Sequence, residues 1–185
     1  MKLFKITIFL LIYLSISLKV NSVNNLQGIF NEGGKLIFIR HAYAPGSGDP
    51  EGFDLLNCST QRNLNNEGIL QSKRIKQFFL EKDIMIDKVF SSEWCRCKQT
   101  AEYAFGKYET KSFLNSFFSE KFAHNKDDQI KELNDYIKNY KKNGNLIFIT
   151  HYVVIFELLN IHPASGEIII ANKNLTIISR IETNN

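Results

Sequence analysis

The sequence predicts an α/β fold, a three-layer sandwich around a mostly parallel central sheet, and three observations predict it. Three short apolar runs, Lys35 to Ile39, Asp87 to Phe90 and Asn145 to Ile149, are rich in aliphatic and aromatic residues. They lack the polar alternation of a half-exposed strand, so they read as strands covered on both faces. The segments between them carry apolar residues at helical spacing, and strands alternating with helices imply a parallel sheet with helices on both sides. The first and third runs also end alike, in Phe-Ile-Arg40-His41 and Phe-Ile-Thr150-His151, so each strand delivers a histidine just past its carboxyl end.

Ahead of the first strand, Met1 to Ser22 carries Lys2 and Lys5, then an apolar and hydroxyl run from Ile6 to Leu18, then Val20-Asn21-Ser22. This reads as a secretory signal peptide followed by one domain over residues 23–185. The run is shorter than the roughly 20 residues that a membrane-spanning helix needs. The expected location is therefore periplasmic or secreted, without stable membrane insertion after cleavage. Removing the leader takes away Lys2, Lys5 and Lys19 and no acid, so 23 basic against 19 acidic residues becomes 20 against 19 and the net charge falls from +4 to +1. A nearly neutral domain lacks the basic footprint with which proteins grip nucleic acid. The remaining length suffices for one domain with a real core.

After the first strand comes a long connection from Ala42 to Arg62, containing Pro45-Gly46-Ser47-Gly48-Asp49-Pro50. Its length marks it as a substrate-facing lid rather than a simple turn. A helix follows the cap-like Asn65 and Asn66, with Ile69, Leu70, Ile75, Phe78 and Phe79 expected on its buried face. The second strand ends in Ser91-Ser92 and feeds a helix start around Glu93-Trp-Cys-Arg96, which points Arg96 to the same sheet edge as the two histidines. Ile130, Leu133, Ile137 and Tyr140 predict a further helix, and Glu167 to Ala171 with Leu175 to Ile181 predict two closing strands about an Asn172-Lys173-Asn174 hairpin turn.

Cys58, Cys95 and Cys97 are the cysteines of the chain. In an oxidising compartment Cys58 has either of the other two as a partner, and equally Cys95 and Cys97 suit packing behind Arg96. Cys-x-Cys with no histidine nearby is a weak zinc signal, and no metal site is expected.

The carboxyl edge of a parallel sheet is where such folds bind ligands. Two histidines and two arginines there suit a phosphoryl group, because guanidinium forks bond anionic oxygens and stay charged. A neutral imidazole is a competent nucleophile toward phosphorus, and flanking arginines disfavour its protonated form. His124 and His162 carry no such placement and read as structural, while Arg74 among Lys73 and Lys76 reads as a solvated face.

Arg40-His41, Ser91-Ser92-x-x-x-Arg96-x-x-Gln99-Thr100-Ala101 and Thr150-His151, in that order, resemble the histidine phosphatase, or phosphoglycerate mutase-like, superfamily. The loop Pro45 to Pro50, Cys58-Ser-Thr-Gln-Arg-Asn-Leu64, Asn115-Ser-Phe-Phe118 and Pro163-Ala-Ser-Gly-Glu167 look like a bacterial subgroup that includes lipopolysaccharide core heptose phosphate phosphatases. The resemblance implies that His41 attacks phosphorus in line while Arg40, Arg96 and His151 hold the equatorial oxygens. It also implies that water hydrolyses the phosphohistidine, that no cofactor takes part, and that the substrate is a phosphorylated small molecule or glycan. Arg62 is a further candidate phosphate contact.

Two positions depart from the family pattern. Ala42 stands where glycine is common, which suits a negative backbone φ. Ser116 stands where a proton-donating acid is expected, leaving Glu120, Glu167, Asp49 and the adjacent Glu51 as candidates. Two other readings share the same residues: a phosphomutase, and a phosphate- or phosphosugar-binding module without turnover.

Overall fold

A computed structural model describes residues 26–184, so the leader expected over residues 1–22 lies outside the described residues. Residues 26–31 are helical and lead into strand β1 (Leu36–Arg40). The other strands are β2 (Ile86–Ser91), β3 (Glu109–Thr110), β4 (Asn145–Thr150), β5 (Ile168–Ala171) and β6 (Ile177–Ile181). The helices are α1 (Asn66–Glu81), α2 (Cys95–Phe105), the single turn α3 (Glu120–Ala123), α4 (Lys126–Asn139) and α5 (Tyr152–Leu159).

The strands form one six-stranded sheet in the order β3-β2-β4-β1-β5-β6. The first four are parallel, with Arg40 opposite Thr150 and Ser91 opposite Ile149, so β1, β2 and β4 end at one edge. β5 and β6 run antiparallel and close the other side, as the predicted hairpin requires.

Strand alternation divides the core into two layers. Leu36, Phe38, Phe90, Leu146 and Phe148 face Leu133 and Ile137 of α4 and Val154 and Ile155 of α5. Ile37, Ile39, Ile147 and Ile149 face Ile75 and Phe79 of α1 and Ala101 and Ala104 of α2. The sandwich is three-layered, as the sequence predicts.

Helix α1 differs from its predicted face. Asn65 caps it, accepting from the Gly68 amide at 3.0 Å. Leu70 is 54% exposed, whereas Gln71 and Ser72 are buried. The first turn of α1 packs on the chain that follows β1 rather than on the sheet. Gln71 Oε1 accepts from the Tyr43 amide at 2.8 Å, and its Nε2 donates to Ser165 O at 2.7 Å. That packing is close enough that a Cβ on Gly68 would lie 2.0 Å from the Tyr43 carbonyl oxygen. Arg74, expected to be solvated, instead donates from Nε to Thr183 O at 2.8 Å and ties α1 to the chain after β6.

Candidate active site

The parallel topology sets the site. The ends of β1, β2 and β4 open onto a cavity of about 420 Å³ whose lining includes Arg40, His41, Asp49, Glu51, Arg62, Arg96, Ser116 and His151. Glu120 and Glu167 do not line it. Glu120 is exposed at the start of α3, and Glu167 is buried in an ion pair with Arg180, Nε to Oε1 2.6 Å, where it also accepts from the Ala164 amide. His124 is exposed beyond α3, and His162 stacks on Tyr152 and Phe156.

His41 is 3% exposed, and its Nδ1 lies 2.8 Å from the Ala42 carbonyl oxygen. A carbonyl only accepts, so Nδ1 carries the proton and Nε2 keeps its lone pair. Burial holds the His41 imidazole well below the usual histidine range, and the Arg96, Arg40 and Arg62 charges push it further down against the Ala42 hydrogen bond. Ala42 is held in turn, its amide donating to Thr100 Oγ1 at 3.0 Å while that hydroxyl donates to Arg96 O at 2.7 Å. Ala42 is not among the residues with positive φ, which agrees with the expectation from the sequence.

His151, 3% exposed, is fixed from both sides. Arg96 Nη2 approaches its Nδ1 at a long 3.5 Å and has only protons to offer, so Nδ1 accepts. The Nε2 proton then goes to Ser92 Oγ at 2.9 Å, and Ser92 donates to Asn115 Oδ1 at 3.0 Å. Burial first, then Arg96, holds the His151 imidazole well below the usual range. Asn115 also joins Glu93, accepting from its amide at 2.9 Å and donating to its carboxylate at 2.5 Å.

The arginines reach the cavity by different routes. Arg40 ends β1, donates from Nη1 to Pro163 O at 2.9 Å and lies 5.6 Å over the Tyr152 ring. Arg96 sits in the first turn of α2 and is 3% exposed. Arg62 folds back on the long loop, donating to Ala44 O at 2.5 Å and to Gly48 O at 2.7 Å. Arg40 Nε and Arg96 Nε are buried without a protein acceptor among the described residues. Buried donors of that kind are costly unless an acceptor is brought to them, and an anion would supply it.

Asp49 holds the loop to the site rather than standing free in it. Its carboxylate accepts from Arg96 Nη1 at 2.8 and 3.1 Å, from Trp94 Nε1 at 3.0 Å and from the Arg62 amide at 3.0 Å. The Cys58–Cys95 disulfide joins the same loop to the first residue of α2. Cys97 is free and buried, burial pushes its thiol up to about 12, and its Sγ lies 3.5 Å from His151 Nε2. The expected lid is thus a pinned wall of the cavity.

Ser92, Thr100 and Asn115, which the sequence shows only as motif positions, are orienting partners to which the sequence reading gives no role. Their signal is chemical: small polar residues at strand ends and on the inner face of α2, where a core would place apolar ones.

No protein-family model and no curated protein matches the sequence. Solved structures do. The protein histidine phosphatase SixA complexed with tungstate is 15% identical with a TM-score of 0.56, over 80% of this chain and 97% of that one. The phosphoglycerate mutase from Thermus thermophilus is 15% identical with a TM-score of 0.55, over 80% and 98%. The chain therefore has the fold shared by histidine phosphatases and phosphoglycerate mutases.

Proposed function

We propose that this chain is an exported phosphatase that hydrolyses a phosphomonoester through a phosphohistidine on His41. One observation carries the reading: His41 is locked as the Nδ1–H tautomer by Ala42 and kept neutral among three arginines, so its Nε2 lone pair is available inside an anion-binding cavity. In the first step Nε2 forms a bond to phosphorus while the bond to the leaving oxygen breaks. Arg40, Arg96 and Arg62 neutralise the transferring group, which is the main requirement of phosphoryl transfer. Water then attacks phosphorus, the N–P electrons return to Nε2, and phosphate leaves.

A fold neighbour is complexed with tungstate, a tetrahedral oxyanion, which supports an oxyanion as a ligand for this fold. The Cys58–Cys95 disulfide supports export, since such bonds persist in oxidising compartments. The sequence resemblance favours phosphorylated small molecules or glycans as substrates, and a heptose phosphate is one member of the panel to be screened.

The test is a rapid alkaline quench after mixing with a labelled phosphoester, because the N–P bond is acid-labile. Wild type traps a phosphohistidine, and His41→Asn traps none and loses at least about 10³-fold in kcat/KM. Full turnover by His41→Asn refutes the mechanism. Isomerised product outrunning released phosphate would identify a mutase instead.

A further inference from the structure

The cavity has a second half that the phosphoryl chemistry does not use. Phe53, Trp94 and Phe122 form a ring cluster with centroids 5.4 to 5.9 Å apart, and Trp94 and His151 meet in a T-shaped pair with centroids 5.4 Å apart. Phe118, 65% exposed, lines the same cavity. An apolar side chain that exposed, beside an aromatic wall, is a surface for a flat apolar group.

The acid–base inventory narrows the choice. Among the described residues the carboxyl groups lining the cavity are Asp49 and Glu51; of the other proton carriers there, Tyr152 is paired through its hydroxyl with His162 Nδ1, and Lys121 lies at the exposed rim over the Phe122 ring. Asp49 is held by Arg96, Trp94 and the Arg62 amide, and Glu51 sits on the exposed turn beside Gly52. The inner wall offers Ser116, whose hydroxyl is a poor acid. An aliphatic alcohol leaves as an alkoxide about as basic as hydroxide, the conjugate base of water with a pKa of roughly 15.7, and needs a proton as it departs. A phenol, with a pKa near 10, leaves as a phenolate without one.

Resting on the phosphatase reading, we propose that the preferred substrate is an aryl phosphomonoester, its ring seated against Phe53, Trp94, Phe118 and Phe122. His41 Nε2 forms the N–P bond, the aryl P–O bond breaks with its electron pair leaving on phenolate, and phenolate takes a proton from solvent. Water then completes the turnover as above. The ring comes either from a free aryl phosphate or from a phosphotyrosyl side chain.

The experiment measures kcat/KM of the purified protein on phenyl phosphate, phosphotyrosine and a phosphotyrosyl peptide against glycerol 2-phosphate, glucose 6-phosphate and a heptose phosphate. The aryl esters are expected to exceed the aliphatic ones by at least about 100-fold, as an unprotonated leaving group requires. Phe53→Ala and Phe118→Ala should each lower the aryl-to-aliphatic ratio roughly 2- to 10-fold. A peptide better than free phosphotyrosine assigns the ring to a protein side chain, and the reverse assigns it to a small molecule. Sugar phosphates turned over as fast as aryl esters overturn the proposal, as does an aryl-to-aliphatic ratio unmoved by both phenylalanine variants. A 100-fold loss of kcat on phenyl phosphate in Glu51→Gln also overturns it, because a general acid would then be at work. Each of these outcomes leaves a phosphohistidine on His41, whereas failure of every ester to label His41 defeats the underlying phosphatase reading.

Discussion

Reducing the Cys58–Cys95 bond, or replacing both residues with serine, separates what the disulfide does for stability from what it does for the site. The bond closes a loop with a sequence separation of 37. The chain-entropy relation gives about 13 cal/mol/K for that length, or about 4 kcal/mol at 25 °C. A domain of this size moves by roughly 2–4 °C per kcal/mol, so the melting midpoint should fall by about 8–16 °C. The folded site should change less. The loop keeps its tie to α2 through Gln61 Oε1, which accepts from the Cys95 amide at 2.9 Å, and through the Asp49–Arg96 ion pair. Scanning calorimetry with and without reductant, paired with initial rates at 25 °C, checks both halves. Thiol titration in denaturant should count one thiol before reduction, Cys97, and three after it. A midpoint shift under about 2 °C, or three free thiols in the unreduced protein, refutes the reasoning.

The two buried histidines set a pH dependence whose sign follows from their lowered titration. On the proposed mechanism neutral His41 is the reactive form, so kcat/KM should hold from neutral pH through about 6.5, where an unperturbed histidine would already be half protonated, and fall only below it. Stability should also decline below about pH 6.5, because the unfolded chain then takes up protons that folded His41 and His151 refuse. The slope is at most about 1.4 kcal/mol per pH unit for each histidine, and His151→Asn should remove one share, as read by denaturant titration across the range. Glu167→Gln should cost about 1–3 kcal/mol by weakening the acceptor for Arg180 and the Ala164 amide. Its kcat/KM should stay close to wild type, since Glu167 lies off the cavity. A collapse of turnover without loss of stability would restore it as an acid.

β1 and β4 are legible because burial on both faces leaves contiguous apolar runs; β2 is buried only at Phe90 and Ser91 and carries an exposed Asp87, yet all three strands fall on the predicted runs to within a residue. The convergence of His41, Arg40, Arg96 and His151 follows from that topology, since β1 and β4 end at one edge and α2 starts just past the end of β2. Leu70 misled because helical period assumes an apolar partner, whereas the start of α1 meets a polar backbone segment at Tyr43 that Gln71 satisfies. Asp49 misled for a different reason. Which arginine a loop carboxylate finds depends on how the long connection from Ala42 to Arg62 folds back, and no local pattern encodes that return. Cys58 shares the difficulty, with both Cys95 and Cys97 open to it until the helix orients one outward to the loop and the other into the core. The two-residue strand β3 and the single turn α3 are too short to carry a period.

The Asp49–Arg96 pair explains how so many positive groups coexist around a neutral histidine. Arg40, Arg62 and Arg96 bring three charges to one cavity, and Asp49 removes one, while Lys121 and Glu51 cancel at the exposed rim. The balance near His41 is then two positive charges, the complement of a phosphate dianion. A full three would raise the cost of folding an empty site, since like charges in a poorly solvated space repel strongly. On the proposed mechanism, a balance of one would leave the transferring phosphoryl group undercompensated. Asp49 reaches Arg96 through Nη1, and the buried Nε of the same guanidinium is left without a protein acceptor, so charge is tempered on one side of the group while a donor is kept on another. The long loop is therefore part of the electrostatic design of the site, with Trp94 and the Arg62 amide holding that carboxylate against Arg96.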